Sequence, residues 1–226
     1  MHSPVISPEI YAMRPDFAAL SISVVGAQNA ASDPWCTEQL RMACADEGPE
    51  WLEAHLEAWR DAYRAFGAKP QRTPCSVEAL RKRALRDGIL PPVNAVVDLY
   101  NAISLRYGLP IGGEDAHAYS GTPRLVVAGG MEPFDTTRSG ESEVETVEAG
   151  EVVWCDDRGV TCRRWNWRQG VRTRITDEST AMWFVLERLE PMPISALLQA
   201  GEDLIAGLKR LAPSLEATMQ LLQRPD

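Results

Sequence analysis

Histidine is scarce in this chain of 226 residues: only His2, His55 and His117 occur, and none stands in a zinc-ligand or nucleophile-elbow pattern. The five cysteines, Cys36, Cys44, Cys75, Cys155 and Cys162, are odd in number and include no C-x-x-C pair, so they read as reduced thiols and not as a disulfide framework or a zinc site. P-loop, G-x-G-x-x-G and G-x-S-x-G motifs are missing. No metal and no cofactor is therefore expected, and no activated nucleophile is evident. No apolar run approaches the length of a membrane span, and the start, Met-His-Ser-Pro, lacks the basic and apolar regions of a signal peptide. A cytoplasmic location with no membrane partner is expected. Basic residues do not outnumber acidic ones, 23 against 32, and the net charge of −9 argues against indiscriminate nucleic-acid binding, DNA included.

What is present is ordinary for a globular protein: 45% hydrophobic and 24% charged residues, in a chain long enough to bury a full core. Residues 1–30 hold one expected strand, Phe17 to Val25, and Trp35 to Ala45 an expected short helix. Pro49 opens a longer helix, with Leu52, Leu56, Trp59, Tyr63 and Phe66 stepping by four and three along one core-facing stripe. His55 beside that stripe reads as structural. Ser76 is placed to cap a helix ending at Asp87, with Gly88 just beyond. A strand over Thr122 to Ala128, a polar excursion from Met131 to Gly150, and a hairpin from Glu151 to Trp165 follow. Helices are expected from Thr176 through Leu189, from Pro193 to Leu211 and from Pro213 to Leu222. The expected fold class is α+β, a single domain over 1–226 with a mixed sheet wrapped by helices and with extra N- and C-terminal helices.

The central stretch runs from Pro91 to Asp115. Two prolines open a helix whose apolar face carries Val93, Val96, Val97, Tyr100 and Ile103, with Gly108 at its end. Asn94, Asp98, Asn101 and Ser104 follow one another at helical spacings, four small polar groups in one row. Such residues are mediocre helix formers, so the row needs a reason. It either lines a polar pocket or bonds to neighbouring loops; spacing leaves both open. Gly112 and Gly113 then read as a loop able to bring backbone N–H groups close to a ligand.

Charge is also clustered. Lys69, Arg72, Arg81, Lys82, Arg83 and Arg86 share a window with one acid, Glu78; Arg158, Arg163, Arg164, Arg168, Arg172 and Arg174 share another with none. Each is either a solvated face or a local docking surface for phosphates.

Several ordered segments resemble the B3/B4 domain of the phenylalanyl-tRNA synthetase beta subunit, and still more its free-standing relatives. They are Val96-Val-Asp98-Leu-Tyr-Asn101, Gly108-Leu-Pro110, Asp115 with Gly121, Gly150-Glu-Val-Val-Trp-Cys-Asp156 and Arg163-Arg-Trp-Asn-Trp-Arg-Gln169. The resemblance covers roughly 67–190 and implies a B3/B4-type sheet. It further implies a hydrolase that removes a wrong amino acid from tRNA in trans. In the synthetase a pocket histidine stands where Gly112 stands here, and a pocket threonine where Thr176 stands. The pocket glutamate that senses the tyrosine hydroxyl finds its nearest positions at Asn166 or Gln169.

An aminoacyl ester needs no protein nucleophile, since positioning a water and stabilising the oxyanion suffice. The expected catalytic groups are Asn101, Asn166 and Thr176. Asn94, Ser104, Gly112, Gly113, Trp167, Arg168 and Gln169 are expected to bind substrate. Arg163, Arg164, Arg172 and Arg174, with Lys82, Arg83 and Arg86, are expected to bind tRNA. The alternative is a non-catalytic module that keeps the pocket and binds a free amino acid, a related metabolite or tRNA.

Overall fold

A computed structural model describes residues 3–225; His2 lies outside them. In chain order the elements are β1 (Val5–Ile6), α1 (Pro8–Met13), β2 (Ala18–Val25), α2 (Pro34–Cys44), α3 (Leu52–Ala65), α4 (Ser76–Asp87) and α5 (Ala95–Tyr107). Then come β3 (Ile111–Asp115), a 3-10 turn, β4 (Arg124–Val127), β5 (Pro133–Arg138), β6 (Glu141–Thr146), β7 (Val152–Cys155) and β8 (Val160–Arg163). The last four are β9 (Arg168–Gln169), β10 (Ala181–Arg188), α6 (Ile194–Leu211) and β11 (Glu216–Gln223). The fold is α+β. Among the described residues no helix is long and apolar enough to cross a membrane.

Two sheets organise the molecule. One has the order β11-β2-β10-β3, all antiparallel; the other is mixed, in the order β1-β4-β7-β8-β5-β6, with β9 beside β8. Strand β10 is buried along its whole length because both faces of its sheet are covered. Met182, Phe184 and Leu186 point into a core shared with α5 and α6. Trp183 and Val185, on the opposite face, join a core with Trp59, Trp154 and Trp165. Each such buried large side chain contributes roughly 1.5–3 kcal/mol through removal from water.

Most sequence expectations before residue 170 hold to within a few residues, including the Met131–Gly150 excursion, which is the β5–β6 hairpin. The C-terminal part differs. Thr176 to Ser179 is a turn and not a helix start, and the apolar run after it is β10. Its β-branched and aromatic content, buried on both faces, imitates a buried helix in periodicity. Glu216–Gln223, expected as part of a helix, is the edge strand β11, held by pairing with β2. The short β1 and α1 were not anticipated. Nor does Ser76 cap α4: the N-cap is Cys75, and among the described residues the Ser76 hydroxyl makes no hydrogen bond. Gly88 and Gly108 close α4 and α5 in the left-handed region, as expected.

Candidate functional site

The polar row of α5 divides between the two readings left open by its spacing. Asn94 is the N-cap, accepting from Val97 N at 2.9 Å. Asp98 is fully buried and accepts from Val93 N, and the Ser104 hydroxyl donates to Leu109 O at 2.7 Å. These three hold their own helix and its flanking turns, and none of them lines the cavity beside it. Val93 precedes the helix and is exposed, so it is not part of the apolar face. Asn101 alone turns outward into the cavity, and among the described residues its amide makes no protein hydrogen bond.

That cavity, about 320 Å³, opens between α4 and α5 and is floored by β3 and β10. Ser76, Ala79, Leu80 and Arg83 form one side; Trp154, Trp165, Asn166, Trp167 and Gln169 form the other. Gly112 and Gly113 belong to a strand, not a loop, and neither has positive φ. Their use is steric. A Cβ on Gly113 would stand 2.8 Å from Tyr100 Cε1, so only glycine lets α5 lie this close to β3. Gly112 pairs with Val185 and leaves the floor between them open.

Strand β3 is the last strand of its sheet, and its outer side meets the Thr173–Arg174 segment, where Asp115 N donates to Thr173 O at 2.8 Å. Because Glu187 N donates to Pro110 O, alternation along the antiparallel ladder turns the N–H and C=O of Gly113 away from β10. The Gly113 carbonyl accepts from Gln169 Nε2 at 3.0 Å. Its N–H has no acceptor among the described residues.

Two glutamates that sequence reasoning missed sit on this floor. Glu114 and Glu187 share the face of Val185, and both are buried. Burial pushes each carboxyl up to about 7, against hydrogen bonds that favour the charged form. Glu114 accepts from the Tyr119 hydroxyl. Glu187 accepts from Trp154 Nε1 at 3.0 Å and from Asn166 Nδ2 at 2.8 Å, while Asn166 Oδ1 accepts from the Tyr63 hydroxyl at 2.9 Å. Glu187 was legible only as a charge ending an apolar run, a signal lost once that run was read as a helix. Cys162 also borders the cavity, but burial raises its thiol well above the usual range, so it offers no thiolate.

Other expected residues fall elsewhere. Thr176 is exposed in a turn and its hydroxyl donates to Glu178; it does not line the cavity, which corrects its catalytic placement. Arg168 donates to Thr137 O and likewise lies outside the cavity. Residues 164–167 form a turn, not a continuous strand, with positive φ at Arg164 and Trp165; Trp165 is fully buried while Trp167 walls the cavity.

The acid-free arginine window acquires acids from other strands. Arg163 is buried in a fork to Glu151, with bonds of 2.9 and 2.8 Å, and also reaches Glu145. Arg172 makes a two-pronged pair with Asp156 at 2.8 Å. Both guanidinium groups are committed internally and are not free for an external phosphate. Arg174 is exposed, and Arg164 lies over the Trp167 ring at 4.6 Å. On α4, Lys82, Arg83 and Arg86 are exposed, each near a carboxylate of its own helix, and Arg83 reaches the cavity mouth.

His55 is structural. Its Nδ1–H donates to Gly108 O at 2.8 Å, and Nε2 accepts from Trp59 Nε1 and Leu189 N. Burial pushes its pKa down to about 4.

Comparison with solved structures finds an N-terminal fragment of the phenylalanyl-tRNA synthetase beta-subunit from Pyrococcus horikoshii. It is 11% identical with a TM-score of 0.47, over 99% of this chain and 54% of that one. The present chain thus spans about half the length of that fragment. No curated protein matches it. Residues 58–200, more than half of the sequence and the whole cavity lining, match the model of the B3/4 domain, and the chain belongs to that family.

Proposed function

We propose that this protein hydrolyses the ester of a mischarged aminoacyl-tRNA in trans. The observation that carries the reading is that Asn101, Gly113, Asn166, Gln169 and the two buried glutamates Glu114 and Glu187 all line one cavity of about 320 Å³. In this mechanism the aminoacyl group enters past Arg83 and Ala79, with its side chain against Tyr100 and Trp167. Asn101 orients the attacking water, and a cavity carboxylate titrating near neutrality takes its proton. Oxygen–carbon bond formation moves the carbonyl electron pair onto oxygen, where the Gly113 N–H donates to it. Collapse expels the terminal ribose oxygen, which recovers the proton. The test is deacylation of a panel of mischarged tRNAs. The reading expects one or more esters to disappear well above their spontaneous rate.

The second reading, a non-catalytic amino-acid-binding module, is favoured by one observation. No nucleophile–base pair lines the cavity among the described residues, since Cys162 is held as a thiol and His55 is occupied elsewhere. Saturable binding of a free amino acid, with every ester in the panel left intact, would establish it.

A further inference from the structure

Residues from both basic windows meet at a second cavity, of about 410 Å³, that neither window predicted alone. The α3–α4 loop brings Lys69 and Arg72, both exposed and both without an ion pair among the described residues. The β8–β9 turn brings Arg164. Two acids also line it. Glu151 is already spent, since its carboxylate takes the fork from Arg163 and the N–H of Arg164, leaving Arg164 Nε at 3.7 Å. Glu148 is exposed, and among the described residues it is the one opposing charge in the lining not committed elsewhere. The arrangement is a small electropositive cleft on an acidic body.

Its position gives it meaning. The guanidinium of Arg164 covers the ring of Trp167, and Trp167 walls the first cavity. The stacked pair thus joins a residue lining the second cavity to a residue lining the first. Resting on the reading of the first cavity as an acyl site, we infer that the second binds backbone phosphates of an RNA 3′ strand. Its terminal base lies at the Arg164–Trp167 stack and its acyl end passes into the first cavity. Ammonium and guanidinium groups without carboxylate partners suit phosphate oxygens, and an aromatic face capped by arginine suits a base. The short footprint accords with the net charge of −9, which repels the rest of a polyanion.

The test is the binding of an uncharged RNA hairpin ending in a single-stranded CCA tail, followed by fluorescence anisotropy across a range of salt. Engagement of two to three phosphates of a single strand gives a log–log salt slope of about −1.4 to −2. Lys69→Ala with Arg72→Ala weakens binding about tenfold and flattens the slope by roughly one unit or slightly more. Glu148→Gln tightens binding two- to three-fold by the order of magnitude of one screened charge, a gain that misfolding does not produce. The inference is overturned if wild type does not bind the hairpin, if the variants leave affinity and slope unchanged, or if inorganic phosphate at equal phosphate concentration binds as tightly as the hairpin. Ester hydrolysis measured separately keeps the two readings apart. Hydrolysis that persists with hairpin binding insensitive to these variants rejects the cleft alone. Hairpin binding through the cleft with no ester hydrolysed rejects the deacylase alone.

Discussion

Gln169 Nε2 donates to the carbonyl oxygen of Gly113 at 3.0 Å, and this bond ties the mixed sheet to the last strand of the other sheet at the cavity wall. The same amide donates to Thr173 O at 3.3 Å. Gln169→Ala removes both donors and leaves the Gly113 carbonyl dependent on water. A loss of about 1–3 kcal/mol is expected in denaturant unfolding. Gln169→Glu, which has no donor to give when ionised, is expected to do no better.

A pH dependence follows from Glu187. In the unfolded chain its carboxyl ionises near 4.5, whereas burial holds it protonated up to about 7. Well below pH 4.5, both states are protonated and nothing is lost. As pH rises from 4.5 to 7 the unfolded state sheds its proton first, so native stability falls, by up to ~3 kcal/mol. Glu187→Gln does not titrate. Whatever its offset, its stability should rise relative to wild type across that interval and run parallel above it, as read from urea melts at several pH values.

His55 acts in the opposite direction. Its folded pKa, about 4, lies below the ordinary 6.5, so the neutral ring is part of the native state. Its contribution is complete above pH 6.5 and is lost as pH falls toward 4, because the unfolded chain takes up a proton that the native state refuses. Protonation would set an N–H against the two donors from Trp59 and Leu189. The stability advantage of wild type over His55→Gln should shrink by ~3 kcal/mol between pH 6.5 and 4.

Much of this was readable from sequence where one local signal dominated. The stripe from Leu52 to Tyr63 and the glycines closing α4 and α5 each declare their geometry within a few residues. Asn101, Asn166, Trp167, Gln169 and the two strand glycines do meet at one cavity. The failures have a common cause, which is dependence on partners distant in sequence. Arg163 and Arg172 looked free because Glu151 and Asp156 come from the neighbouring strand and turn. β10 looked helical because burial on both faces erases the alternation that marks a strand. Once that strand was misread, Glu187 had no face and Thr176 acquired a pocket it does not border.

The most direct test of the cavity as the reacting site is single-turnover deacylation of the best-hydrolysed mischarged tRNA by wild type, Asn101→Ala, Ala79→Trp and Thr176→Ala, each beside a thermal melt. Ala79 is exposed at the cavity mouth, so tryptophan there closes the entrance without entering the core. The account predicts four normal melts. It also predicts a loss of roughly ten- to a thousand-fold for Asn101→Ala, the range for a lost positioning or oxyanion donor, with near-complete loss for Ala79→Trp and an unchanged rate for Thr176→Ala. Full activity in Ala79→Trp and Asn101→Ala, with the loss confined to Thr176→Ala, would contradict it.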